Sequence, residues 1–195
     1  MDTQSVIAYF DEQAPGWDAK MKKNDAVIHT ICDHAKITEG LSVLDVACGT
    51  GVMIPYYLKR HVASVIAIDI SPRMAEIARE KFPEKEVTVL CGDVEVADFG
   101  RTFDRIVVYN ACPHFPDPGQ LVSLLSSLLA PGGILTIAHG FSRETINGRH
   151  KGGASPISRG LLPAEELAQI FSKYLEVTTV IDDETMYQVV GRCAD

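Results

Sequence analysis

From residue 40 onward the apolar residues fall in short continuous blocks, and between the blocks they recur at helical spacing. Blocks bounded by turn residues read as buried strands, and their alternation with helices reads as a βαβ sheet. The pattern predicts strands at 42–46, 64–69, 86–91, 103–109 and 132–138, with helices near 51–60, 72–82 and 118–129. Ser71-Pro72 is a helix start, a hydroxyl N-cap followed by proline at the first helical position. Ala130-Pro131-Gly132-Gly133 ends one helix and turns into the next strand. A further helix runs from Pro163 to about Tyr174, and two β-rich runs follow at 175–181 and 186–192. The link between them, Asp182-Asp183-Glu184-Thr185, is too short for a parallel crossover, so the pair is antiparallel. Before residue 40 lies a mostly helical arm. The chain thus divides into an arm, 1–40, and a sheet domain, 41–195, within one domain overall.

One block carries chemistry. Val43-Leu44-Asp45-Val46 is a strand that breaks into Ala47-Cys48-Gly49-Thr50-Gly51 and then opens a helix. Gly49 and Gly51 let backbone approach a bulky ligand, and a helix start behind them offers N–H groups and a positive dipole end. The next strand ends on Asp69, 24 positions after Asp45, where a carboxylate meets the ribose of a nucleotide-like ligand. A dinucleotide fingerprint requires a third glycine three positions after Gly51, and that position is Ile54, followed by Pro55. The loop therefore suits a nucleoside without a pyrophosphate.

With these residues in view, the chain resembles the class I S-adenosylmethionine (SAM) dependent methyltransferases, of the small-molecule type. Asp45 to Gly51 is similar to their cofactor loop, with Ala47 standing where the family carries its first glycine. Asp69 to Met74, Gly92 to Glu95, Phe103 to Asn110 and Leu129 to Leu135 are similar to four further motifs in the same order. Tyr9-Phe10-Asp11 and Ala14 to Asp18 resemble the N-terminal segment of the quinone-methylating branch, which folds over the cofactor. The resemblance implies a single doubly wound, mostly parallel seven-stranded sheet, a Rossmann-like methyltransferase fold with one antiparallel strand near the C-terminus and an N-terminal helical arm.

It also implies cofactor contacts. Asp45 would hold the loop or the cofactor's amino group, directly or through water, Ala47, Cys48, Gly49 and Gly51 would line the cofactor as the loop itself, and Asp69 would accept from the ribose diol. Ile70 and Met74 would wall the adenine, although Met74 fits plain helix core as well. Asp93 would accept from the adenine amino group beside the Val94 N–H, or cap a short helix at 94–97. Asn110 and Ala111 would lie beneath the reacting methyl. Tyr9 and Trp17 would close the pocket from the arm, with packing onto the sheet as the other role for Trp17.

Methyl transfer from a sulfonium is an in-line displacement that asks mainly for alignment and exclusion of water. A base is optional, and the candidates are His139, His114 and His150, with Arg143 as an anion contact. Arg143, Asn147 and His150 fall on one face of a short helix that Ser142 would cap, with His139 just before it and a glycine-rich loop at 148–160 just after. Of the three histidines His139 is favoured as the base. No metal is expected, since neither an i, i+4 pair nor a cysteine joins these histidines.

Composition narrows the classes. The 195 residues suffice for one core, and a net charge of −8 gives no footprint for nucleic acid. The most basic stretch, Arg143 to Arg159, holds four cations and could attract a small anionic substrate. Five scattered cysteines form neither a disulfide framework nor a zinc pattern, and no signal or membrane-length run is visible, so a cytoplasmic location is expected. Two alternatives to a methyltransferase remain: a non-catalytic SAM-binding module, and a nicotinamide oxidoreductase, which Ile54 and the antiparallel pair disfavour. The oligomeric state is not encoded in any readable way.

Overall fold

A computed structural model describes residues 2–150 and 157–194, the side chains of Arg149 and His150 excepted. Its centre is one seven-stranded sheet in the order β3-β2-β1-β4-β5-β7-β6. The strands are β1 (Ser42–Val46), β2 (Ser64–Asp69), β3 (Val87–Cys91), β4 (Phe103–Tyr109), β5 (Leu129–His139), β6 (Glu176–Asp182) and β7 (Tyr187–Arg192). β1 to β5 pair in parallel, and β7 lies antiparallel between β5 and β6. All five residues of β1 are buried, as a strand covered on both faces requires.

Helices cover both faces. On one side α3 (Asp25–His34), α4 (Ile54–Leu58) and α5 (Pro72–Lys81) enclose a core containing Ile28, Ile31, Tyr57, Val65 and Ala78. On the other, α6 (Pro118–Ser127) and α8 (Ala164–Phe171) enclose Leu121, Leu125, Leu167, Phe171 and Tyr187. The arm consists of α1 (Thr3–Gln13), a 3₁₀ turn at Ala14–Gly16 and α2 (Trp17–Lys20), and α7 (Arg143–His150) follows β5.

Several boundaries differ from the sequence reading, each for a local reason. The helix expected at 51–60 shrinks to α4, because Pro55 has no N–H and is tolerated only in a first turn. α6 ends at Ser127, and β5 begins at Leu129 rather than 132. The Pro131-Gly132-Gly133 segment is absorbed into β5 with a register shift against β4, and a Cβ on Gly133 would stand 2.8 Å from the Ala130 carbonyl oxygen. No helix forms at 94–97. Instead Asp93 Oδ1 accepts from the Glu95 N–H at 2.9 Å, making a side-chain-closed turn. The 148–160 loop lies partly outside the described residues, at 151–156.

The arm is tied down at two points. Asp11 Oδ1 accepts from the Ser71 hydroxyl at 2.5 Å and from the Arg73 N–H at 3.1 Å, at the opening of α5. Asp18 accepts from the Thr50 hydroxyl at 2.5 Å and from Lys81 Nζ at 2.7 Å. The arm therefore closes over the β1 loop and the β2 tip together. No helix among the described residues is long and apolar enough to cross a membrane.

Candidate active site

A cavity opens where ligands sit in parallel α/β sheets, at the carboxyl ends of the strands. The tips of β1, β2, β3 and β4 supply Ala47, Cys48 and Gly49, then Ile68, Asp69 and Ile70, then Gly92 to Glu95, then Tyr109 to Ala111. α5 adds Met74, the turn after β4 adds His114, Phe115 and Pro116, and the arm adds Thr3, Val6, Phe10, Trp17 and Met21.

Asp69 organises the centre. Its Oδ2 accepts from the Gly49 N–H at 2.7 Å and its Oδ1 from the Ser71 N–H at 2.9 Å, so one carboxylate joins the β1 loop to the β2 loop. Each oxygen keeps a second lone pair, so the carboxylate can still accept from both hydroxyls of a ribose diol. Burial raises the Asp69 carboxyl from its ordinary value, and the two backbone N–H groups oppose that shift. Gly49 takes φ +55° and supplies a surface without a Cβ, facing Trp17 Nε1. Ala47, in the family's glycine position, also holds a left-handed φ of 54°, a conformation L residues seldom adopt. Met74, Val94 and Ile68 are buried walls suited to a flat ring.

Three of the expected cofactor contacts lie elsewhere. Asp45 is buried beneath the loop and does not line the cavity. Burial lifts its carboxyl to about 8, with Tyr57 opposing the shift and Asp69 adding to it by a smaller amount. Gly51 makes its close approach to protein rather than ligand, for a Cβ there would fall 2.6 Å from Phe82 Cε2 and 2.9 Å from Ile54 Cδ1. Tyr9 packs edge-on against Phe10, and it is Phe10 that faces the cavity. Thr3, Val6 and Phe10, at i, i+3 and i+7, form one helical face, the periodicity that could have located them.

The candidate bases separate sharply. His139 is buried opposite Tyr187 in the β5–β7 ladder, ring to ring at 5.9 Å, and is absent from the lining. Tyr109 and Asn110 stand between the β5 tip and the cavity. A Cβ on Gly140 would lie 2.3 Å from the Tyr109 hydroxyl, and the Gly140 N–H donates to Asn110 Oδ1 at 2.9 Å. Arg143 Nε donates to Asp182 Oδ2 at 2.7 Å, and Asn147 exchanges hydrogen bonds with the Leu161 backbone, so both serve structure. The His150 side chain lies outside the described residues. His114 does reach the cavity, with its ring edge-to-face against Phe10 at 5.0 Å and Nδ1 2.8 Å from the Ile157 carbonyl.

Fold, strand-tip cavity and glycine loop together define a Rossmann-like methyltransferase fold. Residues 43–133 match the model of the methyltransferase domain family, and the chain carries a methyltransferase domain of the class I, SAM-dependent type. It is 31% identical over 153 residues to the malonyl-[acyl-carrier protein] O-methyltransferase of Acetivibrio thermocellus, covering 77% of this chain and 54% of that one. The chain spans about half the length of the curated relatives it matches. Among solved structures it is similar to a Haloferax volcanii methyltransferase in complex with the Trm112 methyltransferase activator, with TM-score 0.79, 20% identity, and 95% and 98% of the two chains covered. It is likewise similar to the N-methyltransferase NodS of Bradyrhizobium japonicum WM9 bound to S-adenosylhomocysteine (SAH), with TM-score 0.75, 16% identity and full coverage of both chains.

Proposed function

We propose that this protein transfers a methyl group from SAM to a small-molecule acceptor by in-line displacement. The observation that carries the reading is Asp69, a buried carboxylate at the β2 tip that fixes the glycine loop through two N–H groups while keeping acceptor capacity toward the cavity. When bound, SAM supplies an activated methyl on a sulfonium, so no covalent enzyme intermediate is needed. Asp69 would hold the ribose diol. Met74, Ile70 and Val94 would sandwich the adenine, with Asp93 accepting at its edge through the oxygen not engaged by Glu95. Asn110 is held in a left-handed conformation at φ 56°, its amide oxygen bound to the Gly140 N–H, and would keep the floor under the methyl rigid.

The arm acts as a lid in this reading. Phe10, Trp17, Val6 and Met21 exclude water from the reacting centre, which strengthens every electrostatic contact inside. The same residues with Phe115 and Pro116 support an acceptor with an apolar body. Arg143, engaged by Asp182, gives no support to an anionic one. Five free cysteines support a reducing compartment such as the cytoplasm.

Isothermal titration with SAH, followed by a screen of methyl-labelled SAM against metabolite fractions, tests the reading. Micromolar SAH binding with label appearing in a small molecule supports it. Binding with no acceptor in any fraction favours a non-catalytic SAM-binding module, and NADH binding without SAH binding would replace it with an oxidoreductase.

A further inference from the structure

We propose that His114 is the proton acceptor of the transfer, and that the methyl acceptor is accordingly a neutral O–H or N–H nucleophile. This rests on the methyl-transfer reading and goes beyond it by naming the base and the acceptor class.

A backbone carbonyl can only accept, so the 2.8 Å contact between His114 Nδ1 and the Ile157 oxygen places a hydrogen on Nδ1. In the neutral ring the basic lone pair is then on Nε2. Free imidazole favours the other tautomer, so the Ile157 carbonyl selects the form a base at Nε2 requires. That carbonyl is itself held in place, because the Arg159 N–H donates to the Pro113 carbonyl at 3.0 Å and the Arg159 guanidinium donates to the Pro116 carbonyl. The segment beginning at Ile157 is thus pinned to the very turn that carries His114.

On its other side the ring meets Phe10 edge-to-face at 5.0 Å and 90°. Phe10 belongs to the arm, and the arm is tied to the cofactor loop and to α5 by Asp18 and Asp11. The imidazole is therefore fixed between the lid and the Ile157 segment, with both lid and ring lining the cavity. Among the described residues, the other titratable groups of the cavity lining are Cys48, Asp69, Asp93, Glu95 and Tyr109, and Arg159 is bound to the Pro113 and Pro116 carbonyls of the turn that carries His114. Burial raises the Glu95 carboxyl, with Asp93 and Asp117 adding to the shift, and burial lifts the Tyr109 hydroxyl to about 12. Tyr109 is therefore a poor base near neutral pH. His114 is the only imidazole in the lining among the described residues, and imidazole is the side chain whose ordinary titration spans neutrality.

The step balances without a further reactant. The acceptor oxygen or nitrogen forms a bond to the methyl carbon, and the carbon–sulfur pair leaves with sulfur as a neutral thioether. The acceptor's proton moves to His114 Nε2, giving an imidazolium that later releases it to solvent. A thiolate or carbanion acceptor would leave the tautomer-setting contact without a purpose.

The test uses the full chain labelled with ¹⁵N at histidine, with and without SAH. Two-bond proton–nitrogen spectra, assigned by the signal lost in His114→Gln, report which ring nitrogen holds the hydrogen. Hydrogen on Nδ1 is the expected result, and hydrogen on Nε2 of the neutral ring overturns the proposal. In a second arm, labelled SAM is offered catechol, a primary alkylamine and a thiol. Transfer to the catechol or the amine is expected. With that probe His114→Gln should lower kcat about 10²–10⁴-fold, erase the acidic limb of the pH–rate profile, and leave KM and SAH affinity within about threefold. Transfer to the thiol alone, or wild-type kcat and pH profile in the variant, overturns it. Hydrogen on Nε2 overturns the proposal even where no probe is turned over. Absence of SAH binding by the wild type strikes the methyl-transfer reading instead, and leaves the tautomer result to stand or fall separately.

Discussion

Replacing Asp69 with Asn is the most informative single perturbation of the cofactor site. The carboxylate receives two backbone N–H groups, from Gly49 at 2.7 Å and Ser71 at 2.9 Å, in a site where the residue is 7% exposed. Asn offers one oxygen, so one N–H keeps a neutral acceptor while the other faces an amide NH₂, donor against donor. A buried unsatisfied donor costs about 1–3 kcal/mol, and exchanging a charged for a neutral acceptor loses about 1 kcal/mol more. The fold should therefore lose roughly 2–4 kcal/mol, which for a chain of this size lowers Tm by about 5–15 °C. Ligand affinity falls separately. Two charge-assisted bonds to a ribose diol contribute about 1.5–3 kcal/mol each, so SAH should bind about 10²–10⁴-fold more weakly. Calorimetry on the folded variant below its melting point separates the two effects. Binding within threefold of wild type would mean that the ribose does not sit on Asp69, and an unchanged Tm would mean that the two backbone contacts do not hold the loops together.

Asp45 gives a pH prediction. Its carboxyl is raised to about 8 from the ordinary 3.8 by burial, so the folded state retains a proton that the unfolded state releases. That contribution is complete in acid and is lost as pH rises through about 8; Asp45→Asn should flatten the decline and melt roughly 5–10 °C above wild type at pH 9, and parallel Tm–pH curves would refute the assignment. Gly51→Ala should cost about 1–3 kcal/mol in denaturant titration through collision with Phe82 and Ile54, whereas Gly49→Ala, whose Cβ meets only Trp17 Nε1 at 4.0 Å, should be destabilised less and lose SAH affinity more. Equal stability losses would place both glycines in the same role. Asp18→Ala removes the Thr50 and Lys81 contacts and should speed proteolysis between Asp11 and Lys23 several-fold, with SAH slowing it again and shifting Trp17 fluorescence. An unaltered cleavage rate would leave the arm a packed element rather than a lid.

What was legible in the sequence was what local chemistry dictates. The strand blocks, the Ser71-Pro72 helix start, the glycine loop and Asp69 each depend on neighbours within a few residues, and the five expected parallel strands and the antiparallel pair all formed. The pairing and the family resemblance gave one antiparallel strand near the C-terminus, and the structure seats it as β7 between β5 and β6. The roles of Gly51 and His139 were not legible, because each is decided by a partner distant in sequence. Gly51 is small for Phe82, some 30 residues away, and nothing in a glycine reveals which side of the loop is crowded. His139 sits at a strand tip, which in an open parallel sheet points to the ligand. Only the Tyr109 hydroxyl packed against Gly140, and the cross-strand pairing with Tyr187, turn that tip away from the cavity.

The arm shows why lining residues are harder to read than loop residues. A loop that holds a nucleoside must meet backbone constraints, and these leave fixed residue types in the chain. A lid need only present apolar surface at the correct height, and Val6, Phe10, Trp17 and Met21 meet that demand with side chains equally suited to a core. What distinguishes them is their polar fastening. Asp11 and Asp18 reach past the cavity to the opening of α5 and to the glycine loop, both of which Asp69 already joins. Cofactor loop, adenine wall and lid are thereby linked through three carboxylates. On the proposed reading, a ligand that fills the space between them would stabilise all three contacts at once, and would tie the closing of the arm, and with it the seating of Phe10 against His114, to occupancy of that space.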